Sequence, residues 1–461
     1  MTSIRLTYLD FGLSANPFPE VLEPIKFGGI GCQNPLAFAC YDPTAVILDK
    51  PMSEHLPFCG AAWHGKENPL GDQFGMGTAL PILPGAAGEE FAAYELRLRA
   101  FFYMLYVLGI RYWAWHDFDL VPKGNNLKEF HANIDRMVPV ILELQKLTGI
   151  QCGWTTQNLF SFPAYCEGAA TSPFAGAFAL AWAQTKKMLE VGKIIGALNH
   201  VFWGGREGYN ELLITMLGKE KEHLAKFLRM AKDYARKIGF MAQFLIEPKP
   251  KEPAKHQYDT TAAIVLGFLR EFGLLEFFKL NLETNHATLA ELDMFHECTI
   301  AGQAGKLGGI DVNQGTFGNG WDTDEFLADP LVAFGIMYAV IKTGGLGTGV
   351  FNFDAKRRRG SFAPIDHIYA HILGMDAMAW GLRTAAVVIQ NGDLADAVNT
   401  RYSTWESDLG RSIEAENPDP EAIAKAGYDI SFGVTAEQSS HHEAIRSLVL
   451  RATMQAILMA K

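Results

Sequence analysis

Two stretches decide how this chain is read: LIEPKPKEPAKHQYD (Leu245–Asp259) and LNLETNHATLA (Leu280–Ala290). Each starts from a short apolar run that reads as a buried strand, Phe244-Leu245-Ile246 and Leu280-Asn281-Leu282. Each run then delivers a carboxylate where the strand should stop, Glu247 and Glu283, and His286 follows three residues after the second. Acids at the ends of buried strands are costly unless something pairs them. A single such acid would suit a solvated turn equally well. The weight comes from recurrence.

Working outward, the same pattern appears eight times. Leu56–Ala62 ends at Trp63, Gly109–Trp115 at His116, Ile150–Trp154 at Thr155 and Ala197–Phe202 at Trp203. Phe244–Ile246 ends at Glu247, Leu280–Leu282 at Glu283, Leu307–Ile310 at Asp311 and Val350–Phe353 at Asp354. The ends lie roughly 30 to 50 residues apart, which suits βα units with some longer loops. Helical patterns lie between them: Leu224, Phe227, Leu228, Ala231, Ala235 and Ile238 share one face. Eight alternations predict an α/β fold of the (β/α)8 TIM-barrel type, with the active site at the C-terminal ends of the strands. Residues 1–55, rich in Pro, Gly and Asp, are expected to form an N-terminal extension. Residues 56–385 would form the barrel and residues 386–461 a C-terminal helical arm. Thr435 and Gln438 form a capping-box pattern for a last helix through Leu448 and Ile457. That helix could pack on another subunit or on its own barrel.

Composition narrows the function. With 461 residues, 49% hydrophobic and 20% charged, the chain can bury a large core. A formal net charge of -11 argues against nucleic acid and anionic membranes as partners. The only dense basic run is Lys356-Arg357-Arg358-Arg359. Six dispersed cysteines without a CxxC pair fit reduced thiols in a cytoplasmic protein. An apolar signal core and a membrane-length run are both lacking.

The acids at or near strand ends are Glu247, Glu283, Asp311, Asp322, Asp324 and Asp354, with His286 beside them. Gathered in one pocket they would repel and titrate abnormally. Two divalent cations would neutralise most of that charge. Oxygen-rich ligation with one imidazole favours Mg2+ or Mn2+, with Co2+ also suited. In Trp113-Ala114-Trp115-His116-Asp117-Phe118-Asp119, Asp119 can hold His116 in one tautomer for proton transfer, although a buried His can also be simple core. Trp63, Trp203 and Phe74 could wall off water and present flat faces to a sugar ring. Lys249 lies on the same side as Glu247 if the Pro-rich path stays extended. There it could hold an oxygen anion or form a plain salt bridge.

These words together resemble the xylose isomerase family in its longer, class II form. The resemblance is clearest from Leu56 to Arg383 and rests on Phe202–Tyr209, Ile246–Asp259, Glu283–Ala290, Gly320–Asp324 and Asn352–Lys356. It implies conversion of D-xylose to D-xylulose, and of D-glucose to D-fructose, by ring opening and a hydride shift. It implies that Glu247, Glu283, Asp311 and Asp354 hold one metal, and that Glu283, His286, Asp322 and Asp324 hold a second. It makes His116 with Asp119 the ring-opening pair, Lys249 the ligand of the substrate O1, Trp63 and Trp203 the pocket wall, and Phe74 a visitor to a neighbouring site. A cis Glu252–Pro253 peptide and a homotetramer, a dimer of dimers, embraced by C-terminal arms are implied as well. The chain departs from the family's usual wording at Ala62–Leu70, Ser161–Tyr165, Glu291–Phe295 and Gln314–Asn319, without losing a presumed ligand. Rival readings are an isomerase of another aldose, a metal-dependent phosphodiesterase barrel, and a non-catalytic sugar-binding relative.

Overall fold

A computed structural model describes residues 5–67, 75–80, 82, 88, 90–434 and 439–458. Its centre is a closed barrel of eight strands: β1 (Phe58–Ala61), β2 (Tyr112–His116), β3 (Gln151–Thr156), β4 (Asn199–Trp203), β5 (Gln243–Glu247), β6 (Phe278–Glu283), β7 (Leu307–Asp311) and β8 (Phe351–Phe353). Each pairs with its sequence neighbour in parallel, and β8 closes on β1 through Phe353 opposite Gly60. All eight expected strands are present. Several differ at their ends: the second starts at Tyr112 and the fourth at Asn199, later than expected, and the sixth starts earlier, at Phe278. The first starts at Phe58, because Leu56 belongs to a short preceding turn, and the third continues one residue past Thr155. Trp63 and Asp354 therefore stand just beyond their strands.

Inside the barrel a small plug forms from Cys59, Ala114, Trp154, Val201, Leu245 and Val350, one residue each from the β1, β2, β3, β4, β5 and β8 segments. The larger core lies between strands and the surrounding helices. The helix Leu217–Ile238 shows how the pattern works. Phe227, Leu228, Ala231 and Ala235 are buried, while Leu224 and Ile238 pack partly buried beside them. It stops at Gly239, whose φ of 73° is the left-handed conformation a C-terminal cap needs.

The N-terminal segment has few regular elements but is pinned down. Phe11, Phe18, Val21 and Phe38 enter the main core. The Asp376 carboxylate accepts the backbone N–H groups of Ala39, Cys40 and Tyr41, each at 2.8 Å.

The C-terminal region splits in two. The final helix, His442–Leu458, returns to the barrel: Ala452 and Ala456 pack against Val387 and Val388, and the Trp380 indole donates to the Thr453 carbonyl at 3.2 Å. Thr435 and Gln438, the expected cap, lie outside the described residues. Between Asp393 and Val434 the chain stays outside the core and exposes Tyr402, Trp405, Tyr428, Ile430 and Phe432. Among the described residues one helix is long and apolar enough to cross a membrane, Asp366–Asn391, and it is largely buried within the fold. All six cysteines are free thiols.

Candidate active site

The C-terminal ends of the strands open into a cavity of about 220 Å³. One side of it is built of acids. Parallel register sets Glu283 of β6 directly opposite Asp311 of β7, with Glu247 one strand away on β5 and Asp354 just past β8. Ligand atoms from Glu247, Glu283, Asp311 and Asp354 all lie within 4.8 Å of one another. Within the same distance, Glu283, Asp322 and Asp324 form a second group, Glu247, Glu283 and His286 a third, and His64, Asp324 and Asp354 a fourth. Glu283 is common to the first three. His286 Nε2 stands 3.2 Å from Glu283 and 3.1 Å from Asp322, which ties the imidazole to the second group.

The electrostatics follow from this crowding. Burial, then the charges of neighbouring acids, push the carboxyls of Glu247 and Glu283 well above the usual range and that of Asp311 up to about 8. Asp324 is raised for the same reasons. Burial also works against ionisation of Asp322, but Lys249 and then His286 outweigh it and hold its carboxyl well below the ordinary value. Lys249 Nζ lies 2.7 Å from Asp322 and 3.2 Å from Glu252. It therefore does point into the cavity, where it makes a salt bridge with an acid of the second group. The Glu252–Pro253 peptide is cis.

Below the acids is a layer that the sequence reading passed over. Asn281 Nδ2 donates to Glu247 at 3.0 Å and to Asp311 at 2.7 Å. Asn352 Nδ2 donates to the other oxygen of Asp311 at 2.8 Å. Asn313 Nδ2 donates to Glu283 at 2.8 Å, and its own carbonyl accepts the Asn285 N–H. Asn285 in turn donates to Asp322. Gly315 makes room: a Cβ there would fall 1.4 Å from the Asn285 side-chain oxygen. Asn281 was visible as a polar residue inside the run Leu280–Leu282, where an amide must find a partner. The identity of that partner was not visible.

The opposite side of the cavity is aromatic. His116 Nδ1 donates to Asp119 at 3.1 Å, which leaves Nε2 for the cavity. Burial lowers the His116 pKa, but Asp119 outweighs it and the net shift is upward. Trp63 packs edge-on to His116 at 4.6 Å between centroids, and Phe160 packs edge-on to Trp203 at 4.6 Å. Lys249 Nζ lies 5.2 Å from the Trp203 ring centre. His64, Thr156 and Phe160 also line the cavity and were missed. Phe160 lies past the end of β3 at Thr156, directly before the stretch Ser161–Tyr165 that was read only for its departures. Phe74 lies outside the described residues.

The basic run Lys356–Arg359 does not form a groove. Lys356 pairs with Asp324 at 3.1 Å, and Arg358 donates to the carbonyls of Thr323 and Asp324. These bonds clamp the loop that carries Asp322 and Asp324.

A parallel eight-stranded barrel with cation-sized acid groups facing an aromatic wall defines the class: a cation-binding (β/α)8 enzyme. Within that class, the chain belongs to the xylose isomerase family. A xylose isomerase from Rhodopirellula baltica is 51% identical over 399 residues, 86% of this chain and 90% of that protein. The xylose isomerase of Geobacillus stearothermophilus is 43% identical over 94% of this chain and 97% of its own length. That of Arabidopsis thaliana is 44% identical over 95% and 91%. No family model matches the chain. Among solved structures an L-ribulose 3-epimerase is 16% identical, with a TM-score of 0.44 over 67% of this chain and 94% of that one, too loose a likeness to bear on function.

Proposed function

We propose that this chain is an aldose–ketose isomerase converting D-xylose to D-xylulose, with D-glucose to D-fructose as a slower activity. The observation that carries the reading is the pair of acid groups sharing Glu283, facing His116–Asp119 across one aromatic-walled cavity. Relatives named xylose isomerase at 41–51% identity support the choice of sugar.

The donor set fits two divalent cations, Mg2+, Mn2+ or Co2+. It is rich in oxygen, carries one imidazole, and holds carboxyls that burial and mutual repulsion leave short of positive charge. Glu247, Glu283, Asp311 and Asp354 would hold one, and Glu283, His286, Asp322 and Asp324 the other. When bound, the cations supply Lewis acidity at the sugar's O1 and O2 and a template for its hydroxyls. His116, oriented by Asp119, moves a proton between O1 and O5 to open the ring. Lys249, released from Asp322, holds the substrate O1. Trp63 and Trp203 wall the pocket and exclude water, so that hydrogen passes between C1 and C2 as hydride rather than through a solvent-exchanging enediol.

The division into residues 1–55, 56–385 and 386–461 gives the last segment a role in assembly, with the exposed aromatic stretch between Asp393 and Val434 as the contact and a homotetramer as the product. Free thiols throughout suit a cytoplasmic setting. The use of Lys356 and Arg358 to hold the loop of Asp322 and Asp324 supports a small-molecule substrate over nucleic acid.

The deciding experiment is turnover of C2-deuterated D-xylose in ordinary water after chelation and re-addition of Mg2+. Retention of deuterium in the ketose is expected. Wash-out of the label would overturn the hydride route, and no turnover of any aldose with any of the three cations would overturn the isomerase reading.

A further inference from the structure

Trp63 and His64 are consecutive, and both side chains reach the same atom. The indole Nε1 of Trp63 lies 2.9 Å from Asp354 Oδ1, and His64 Nε2 lies 2.6 Å from that same oxygen. Facing a carboxylate, each nitrogen is the donor. Neighbouring residues in a strand point to opposite faces and could not converge in this way. Here the chain leaves β1 into a wide helical turn, Trp63–Glu67, with hydrogen bonds looser than those of an α-helix. Gly65 lets that turn lie close on the helix Phe91–Leu108, since a Cβ there would meet the Phe101 ring at 2.5 Å. Asp354 directly follows the neighbouring strand β8, so the two ends of the closed barrel meet at this carboxylate. His64 Nε2 is also 3.7 Å from Asp324, an acid of the second group.

A carboxylate that turns freely presents either oxygen to a cation. Two donors on Oδ1 fix its rotation, and in that orientation Asp354 joins the group formed with Glu247, Glu283 and Asp311. We infer that His64, seconded by Trp63, is a positioning residue that orients Asp354 for the four-carboxylate cation seat, and so joins the aromatic wall to the cation cluster. The inference rests on the cation reading above.

The test is Co2+ binding to the full-length protein by calorimetry and visible absorption, for the parent, His64→Phe, His64→Gln and Trp63→Phe. Two Co2+ per subunit are expected for the parent. His64→Phe should weaken one of the two sites by about 10–100-fold and change its absorption band, as loss of an outer hydrogen bond to a ligand does. His64→Gln, whose amide can donate to the same oxygen, should restore binding to within about threefold. Trp63→Phe removes only the N–H and should weaken the same site by less. Parent-like binding of both ions by His64→Phe would overturn the inference, as would a Gln variant as impaired as the Phe variant. Should His64→Phe fail to fold, the Gln and Trp63→Phe titrations still decide it, because parent-like binding by Trp63→Phe with a crippled Gln variant contradicts shared positioning. A parent that binds no Co2+ would instead sink the cation reading itself.

Discussion

The strand ends of this barrel fall into two halves that solve the same problem differently. β5 to β8 deliver Glu247, Glu283, Asp311 and Asp354; β1 to β4 deliver Trp63, His116, Thr156 and Trp203. Position and burial are comparable, yet the acids cost far more to bury than the aromatics do. In the acidic half, the cost is offset from beneath by the amides of Asn281, Asn313 and Asn352, and the rest is left for cations. In the aromatic half, edge-to-face packing of Trp63, His116, Phe160 and Trp203 suffices. The difference teaches that one half is built to hold charge and the other to keep water away from it. A sugar lying between them would meet both.

The largest expected effect comes from removing the acid common to three of the four groups, Glu283. Glu283→Ala should reduce kcat by on the order of 10⁴-fold or more, since several kcal/mol of charge stabilisation are lost. Calorimetry should show fewer than two cations per subunit. A variant that still binds two ions and turns over would dissolve the proposed contrast between the halves. The counterpart in the aromatic half is His116→Gln. It should lower turnover of the cyclic sugar by about 10²–10³-fold, the usual contribution of a positioned acid–base group. Cation titration should remain unchanged. Loss of cation binding in this variant would mean that the two halves do not act separately.

Much of this architecture was legible because barrel strands are short and end where chemistry is placed. The run Leu307-Gly308-Gly309-Ile310 followed by Asp311 reads as a buried strand by composition and as a candidate site by its last residue; β7 ends at that aspartate, opposite Glu283. Leu56–Ala62 was harder, because Leu56 and Pro57 extend an apolar run that geometry breaks. What stayed hidden depends on partners distant in sequence. Asn281 announces a need but not that Glu247 and Asp311 meet it. His64 looks like one more polar residue after a tryptophan until β8 brings Asp354 beside it. The return of His442–Leu458 to its own barrel turns on which apolar face it meets, and Ala452 and Ala456 would suit either choice.

The asparagine layer offers a subtler way to sharpen the comparison. Asn281→Leu keeps the branched shape but removes the donors to Glu247 and Asp311. Cation affinity at the four-carboxylate group should fall about 10–100-fold, while stacking in the aromatic half and its near-ultraviolet dichroism stay unchanged. Unaltered affinity would mean that the cations alone organise the acids.

The smallest expected effect is a dependence on pH, and its sign can be worked out. Without cations, Asp311 holds its proton up to about pH 8, and Glu247, Glu283 and Asp324 are raised in the same direction, first by burial and then by each other. Unfolded carboxyls release theirs near pH 4. The folded form thus binds more protons than the unfolded one between those limits, and stability falls as pH rises through them. Asp322 and Asp354 are shifted downward; the stability they contribute is lost only below their ordinary range, outside this window. Neutral buried histidines such as His200 and His371 act oppositely, but only below about pH 6.5. From pH 7 to 8 the acids therefore govern, and the melting temperature of the cation-free protein should decline by a few degrees. Saturating Mg2+ should remove that decline, because cations replace the protons. Mg2+ binding measured at pH 7 in two buffers of different ionisation heat should report proton release. An equal Mg2+-induced rise in melting temperature at pH 7 and pH 8, with no protons released, would show that the acidic half is ionised before any cation arrives.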